Sequence, residues 1–110
     1  MITEVTHRFT ELEQLCKRFR VRRLYLFGSA TTDRFDPRTS DLDFVVDMAD
    51  RQPTGEYANR YLGLAEALEK LFNRPVDLIT EQSIRNPYFL QEVETTRQLL
   101  YEQTSAQATV

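Results

Sequence analysis

Two aspartates one residue apart, a third standing alone, and a Gly-Ser step ahead of them are the residues of this chain whose types and spacing could do chemistry. Asp41 and Asp43 sit in DLDFVVDM, whose β-branched and aromatic centre predicts a strand over 41–48. Side chains at i and i+2 of a strand share a face, roughly 7 Å apart at the backbone. Both carboxylates therefore point the same way, while Leu42 and Phe44 turn to the other face and anchor the strand. Such a pair repels itself unless a cation lies between, and magnesium takes oxygen ligands of this kind together with substrate phosphates. Asp77 is the one ionised side chain in VDLIT, and it must be solvated, paired or metal-bound. If its strand lies beside that of Asp41, the three acids form a cluster able to serve an in-line displacement at phosphorus, where metal ions stabilise the attacking and leaving oxygens. Gly28-Ser29 closes the hydrophobic run VRRLYLF; glycine lets backbone approach a ligand, and the amides of the following turn, with the Ser hydroxyl, can donate to phosphate oxygens. Taken singly, an Asp-x-Asp pair, a strand-terminal Gly-Ser and a lone strand Asp are ordinary surface features. Their order is the signal: strand, Gly-Ser, a loop of eleven residues ending in Ser40, Asp-x-Asp on a strand, a helix, then Asp on another strand.

The elements that must position these residues follow from periodicity. Residues 2–20 form a helix, because Ile2, Val5, Phe9, Leu12, Cys16 and Phe19 recur at steps of three and four. Cys16 falls on that stripe as a buried thiol, and His7 lies off it, at the surface. Residues 21–27 form a strand, and residues 30–40, polar and carrying Pro37, a short helical turn and loop. Asp50 to Gly55 is a surface loop around Pro53. Residues 56–72 form a helix burying Tyr57, Tyr61, Leu64, Ala65, Leu68, Leu71 and Phe72, with Asn73 and Pro75 as its stop. Residues 76–80 form a third strand. A last helix takes Asn86 as N-cap and Pro87 at its first position, and continues through Phe89, Leu90, Val93, Leu100 and Tyr101. The order helix, strand, strand, helix, strand, helix gives a two-layer α/β domain of the α+β kind, a small mixed sheet covered by helices.

Size and composition bound the class. The 110 residues fit one domain over 1–102, with a frayed tail over 103–110 that has little to bury. A net charge of −3 argues against a protein whose main task is coating nucleic acid, which requires clustered Lys and Arg. No apolar run approaches a membrane span and the N-terminal residues lack a secretory pattern. The single cysteine excludes an internal disulfide framework, so the expectation is a cytoplasmic protein.

With its parts in this order, the chain resembles the minimal nucleotidyltransferases of the DNA polymerase beta superfamily. The resemblance runs over about residues 24–101 and is carried by LFGSATTDRFDPRTSDLDFVVD, RPVDLIT and NPYFLQEVETTRQLLYE. It implies the nucleotidyltransferase fold, with Gly28 and Ser29 on the β- and γ-phosphates of ATP and Ser40 as a further nucleotide-binding residue. Asp41, Asp43 and Asp77 would hold magnesium, Asp77 also assisting the attacking hydroxyl. The reaction implied is transfer of AMP from ATP with release of pyrophosphate. Short stand-alone members are similar to antitoxins paired with HEPN-type RNase toxins, which implies a HEPN-type toxin as partner and a toxin tyrosine as acceptor. The chain departs from the family pattern in having Ala30-Thr31-Thr32-Asp33 where basic residues and a glycine are common, and in a loop about one residue longer. Asp33 beside a triphosphate is repulsive, and Arg34 or Arg38 would have to offset it.

Other residues have plainer readings. Asp47 is expected to be a solvated strand-end charge, Asp33 and Asp36 loop residues, and Arg22 and Arg23 surface residues. Tyr57, Tyr61 and Tyr101 read as amphipathic core. The rival to an enzyme is a nucleotidyltransferase-fold antitoxin that neutralises its partner by masking it, with Phe89, Leu90 or Tyr101 as an exposed apolar surface. A third possibility, transfer to a small molecule or an RNA end, usually comes with an added substrate domain for which this chain has no room.

Overall fold

Alternation of apolar residues, helix caps and two left-handed stops determine where each element begins and ends. The structure, a computed structural model, describes residues 3–32, 36, 40–49 and 55–103. Ile2, Asp33, Arg34, Pro37, Arg38, Asp50, Pro53 and the tail from 104 onward lie outside those residues. The apolar stripe of the first segment is divided at His7 and Arg8 into α1 (Thr3–Thr6) and α2 (Phe9–Arg18), rather than forming one helix. Arg20 then adopts φ +58°, and its carbonyl accepts from the Ala49 amide at 2.9 Å, which turns the chain into β1 (Val21–Phe27). A 3-10 turn (Gly28–Thr31) follows, and after the loop come β2 (Leu42–Met48) and α3 (Gly55–Phe72). Asn73 at φ +52° ends α3, a conformation that Asn tolerates better than most residues, and β3 (Val76–Thr80) begins directly after Pro75. A second 3-10 turn (Glu81–Ser83) leads to α4 (Pro87–Thr96). The Asn86 carboxamide caps α4 by accepting from the amides of Tyr88 and Phe89, with Pro87 in the first turn.

The chain then departs from the expected course. Leu100 and Tyr101 do not extend the last helix; Arg97 turns extended and Gln98–Glu102 forms a strand, β4, paired with β1. Two β-branched residues close α4, and both bend their hydroxyls back onto helix carbonyls, Thr95 to Gln91 and Thr96 to Glu92. This weakens the helix where it stops. The open backbone edge of β1 supplies what a longer helix could not, a ladder from Arg23–Glu102 to Leu26–Gln98.

The sheet runs β3-β2-β1-β4, with β2 and β3 parallel and the β1 pairings antiparallel, so it is a small mixed sheet as expected. One face presents Leu24, Leu26, Leu42, Phe44, Val46, Met48 and Leu78 to Leu12 and Cys16 of α2 and to Leu64 and Leu68 of α3. Tyr57, Tyr61 and Tyr101 pack against this core. The Tyr61 hydroxyl, whose pKa is raised first by burial, donates to the Leu78 carbonyl. The Cys16 thiol is fully buried, and burial pushes it up to about 12. The other face is covered in part by α4, whose Val93 and Phe89 close over Phe27 and Val45, with the Phe27 and Phe89 rings edge to face at 5.8 Å. Just past β4, Gln103 still donates its amide to the Arg22 carbonyl at 2.8 Å.

Candidate functional site

The parallel pairing of β2 with β3 decides where the acids meet. In its register Asp43 is the direct neighbour of Asp77, and on the other side of β2 Asp43 faces Phe27, the residue before Gly28. Neighbouring strands lie roughly 4.8 Å apart, so two carboxylates and the Gly-Ser turn converge at one end of the sheet. Asp41 stands one residue ahead of β2, exposed, and joins the group from the entering loop instead of from within the strand. The shared-face geometry that holds inside a strand therefore applies to Asp43, Val45 and Asp47, and Asp41 reaches the site by loop placement.

Electrostatics report the same gathering. The Asp43 carboxyl is pushed up to about 6, first by burial, then by the negative charges of Asp77, Asp41 and Glu92. Each of these disfavours a second ionised group nearby. Glu92 is a residue that sequence reasoning missed: a glutamate on an amphipathic helix carries no local signal, and only the crossing of α4 over this face brings it to the site. Thr96, one turn later, was also missed. Its hydroxyl accepts from the Gly28 amide at 3.2 Å.

Gly28 is required twice over. Its φ of +76° lies in the left-handed region, and a Cβ there would come within 2.8 Å of Asp43 Oδ2. The turn is knotted by its own threonines, Thr31 donating to the Gly28 carbonyl at 2.8 Å and Thr32 to that of Ser29 at 3.0 Å. Ser29 follows Gly28 in this turn. Ser40 is tied elsewhere: its hydroxyl accepts from the Asp36 amide at 2.9 Å, and its carbonyl from Arg74 at 3.3 Å. These bonds hold Ser40 directly ahead of Asp41.

Among the described residues no three His, Cys, Asp or Glu side chains are already drawn together as a metal cage. The chemistry of the donor set nonetheless suits a divalent cation, because Asp43, Asp77 and Asp41 offer hard carboxylate oxygens and the negative charge gathered around Asp43 is of the kind that a cation would relieve.

Two expectations are corrected here. Asp47 is 1% exposed, not a solvated strand end, since β2 continues to Met48 and Arg22 from the neighbouring strand lies 3.6 Å from its carboxylate. Arg22 is exposed as expected, and Arg23, half-buried, is paired with the exposed Glu102 at 3.2 Å. Of the apolar residues expected at the surface near the C-terminus, Leu90 is exposed, whereas Phe89 and Tyr101 are packed against the two cores; the most exposed aromatic there is Tyr88.

Comparison with known proteins shows the family and the fold. The family model of the nucleotidyltransferase domain matches residues 11–100. A provisionally named protein adenylyltransferase of Methanocaldococcus jannaschii is 35% identical over 77 residues, covering 70% of this chain and 74% of that protein. Among solved structures, a complex of a tri-AMPylated Shewanella oneidensis HEPN toxin with its MNT antitoxin is similar at a TM-score of 0.61 and 21% identity, covering 94% of this chain and 77% of that one. A toxin–antitoxin structure with AMP-PNP reaches a TM-score of 0.66 at 23% identity, over 92% of this chain and 78% of that one.

Proposed function

Since the chain belongs to the nucleotidyltransferase domain family, we propose that it transfers AMP from ATP to a protein hydroxyl, and that it acts in this way as the antitoxin of a HEPN-type toxin. The observation that carries the reading is the placing of Asp43 beside Asp77, with the Gly28 turn so near that a Cβ on Gly28 would lie 2.8 Å from Asp43 Oδ2. The naming of the archaeal relative and the AMPylated toxin bound by a structural neighbour support the reaction class and the partner. The AMP-PNP complex of another neighbour supports ATP as donor.

Each residue then has a task. The Gly28-Ser29 turn and the Ser29 hydroxyl take the β- and γ-phosphates. Asp41, Asp43 and Asp77 hold magnesium, which when bound neutralises the phosphates and the charge that develops during transfer. Asp77, exposed at the rim, accepts the proton of the incoming tyrosine hydroxyl. The tyrosine oxygen forms a bond to the α-phosphorus as the bond from that phosphorus to the bridging oxygen breaks, and pyrophosphate leaves. Ser40, beside Asp41, binds the nucleotide with its hydroxyl proton, while the oxygen accepts from the Asp36 amide. A cytoplasmic setting accords with ATP as donor and with the buried cysteine; among the described residues no helix is long and apolar enough to cross a membrane.

The test is incubation with α-labelled ATP, magnesium and a HEPN-type toxin. Label is expected on a toxin tyrosine with the wild type and at background with the Asp41→Asn, Asp43→Asn double variant. Label transfer that survives the double substitution would sink the assignment of the acids. Neutralisation of the toxin by the double variant without label, at equal stoichiometry, would replace the enzyme with a masking antitoxin.

A further inference from the structure

The Gly28 amide, at the head of the phosphate-binding turn, is held from within the protein. It donates to Thr96 Oγ1 at 3.2 Å, and the same hydroxyl donates its proton to the Glu92 carbonyl at 2.9 Å. The proton is committed to the helix, so a lone pair is aimed at Gly28. The acceptor lies 68 residues away in sequence, on the last turn of α4.

That last turn is anchored on both sides of Thr96. Val93 is buried against Phe27 and Val45. The Arg97 guanidinium lies 4.6 Å over the Tyr25 ring and 4.0 Å from the Glu81 carboxylate. Directly after it, Gln98 enters the ladder opposite Leu26. Gly28 has the opposite character: it is the most permissive residue type, in a left-handed conformation. A Cβ on Gly28 would lie 2.8 Å from Asp43 Oδ2, so the turn also borders the Asp43 carboxylate.

We propose that Thr96 is a positioning residue for nucleotide binding, which uses this bond to fix the Gly28–Thr31 turn at a set distance from Asp43. The inference rests on the reading of the chain as a nucleotidyltransferase, and assigns a role to α4 that the acids and the Gly-Ser step do not supply. The triphosphate must touch the turn and the metal-holding acids at once, so a turn free to drift from Asp43 binds it less well, and misplacement by about 1 Å is enough to matter. Threonine suits the post because its side chain also reaches the helix carbonyl one turn back, which leaves its oxygen no choice of direction.

The experiment is calorimetric titration of the purified protein with magnesium and AMP-PNP, comparing wild type, Thr96→Val and Thr96→Ser. Valine keeps the shape and loses the oxygen; serine keeps the oxygen. Loss of one net hydrogen bond predicts a Kd roughly three- to tenfold weaker for T96V, with T96S within about twofold of wild type. Thr96→Ala, which also lacks the oxygen and adds no bulk, takes the place of T96V if the valine variant does not fold. Binding by the oxygen-less variant as tight as wild type, or tighter, overturns the inference, because the bond then merely competes with phosphate. So does a serine variant as weak as valine. Failure of the wild type to bind AMP-PNP at all would instead count against the nucleotidyltransferase reading.

Discussion

Replacing Asp43 by Asn should make the metal-free protein more stable while abolishing its activity, and the gain should depend on pH in a defined sense. In the folded chain Asp43 is pushed from an ordinary 3.8 to about 6, by burial first and by Asp77, Asp41 and Glu92 after it. The folded state therefore binds the proton more tightly than the unfolded state. Below about pH 4 both states hold it, and Asp43 costs nothing. As pH rises from about 4 to about 6 the unfolded state loses its proton first, stability falls, and above about 6 the penalty is constant. At 1.36 kcal/mol per pH unit the ceiling is about 3 kcal/mol. Solvent reaches part of the side chain and screens the neighbouring charges, which brings the expected penalty down to about 1–2 kcal/mol. For a domain of this size that raises the Tm of Asp43→Asn by about 5–10 °C. The assay is thermal unfolding followed by circular dichroism, in chelator, at pH 7.5 and pH 4. An equal increment at both pH values would refute the electrostatic argument, as would no increment at pH 7.5. Added magnesium should stabilise the wild type more than the variant, by mass action on the folded state.

Two further outcomes follow from the same geometry. Gly28→Ala meets both the left-handed backbone and Asp43 Oδ2 at 2.8 Å, so it should lose about 1–3 kcal/mol in urea unfolding and bind AMP-PNP measurably more weakly. Glu92→Gln removes one of the charges acting on Asp43, so the carboxyl titration of Asp43 followed by carbon NMR should move down by a few tenths of a pH unit from about 6; an upward move or none would contradict the placing of α4.

Local chemistry made much of this legible in advance. Asn86 and Pro87 announce a helix start because capping is decided within four residues, and Asn73 with Pro75 announces a stop for the same reason. The strands Val21–Phe27 and Val76–Thr80 are bounded by turn residues and filled with strand formers. What the sequence hides is whatever a distant partner decides. Leu100 and Tyr101 continue the apolar spacing of α4 closely enough to read as helix, and only the unpaired edge of β1 makes them a strand. Asp47 reads as a strand end until Arg22 is known to lie beside it. Asp43 and Asp77 share a site because β2 and β3 pair in parallel, a register that no spacing encodes. Glu92 and Thr96 reach that site on a crossover helix, so neither has a local sign.

The pairing of β4 with β1 also bears on the order in which the fold can close. Arg23 finds Glu102, and Gly28 finds Thr96, across most of the chain's length. Synthesis runs from the N-terminus at about 5–20 residues per second, so β4 emerges after the other three strands. At the stage when β1, β2 and β3 have been made and β4 has not, the outer edge of β1 has no partner strand and the Gly28–Thr31 turn has no Thr96 to hold it. Such an edge invites pairing with other chains, and non-local closure of this kind is slow relative to helix formation. The bond that holds the Gly28–Thr31 turn thus waits on a segment made after β1, β2 and β3, so the turn gains its support only once α4 has crossed the sheet.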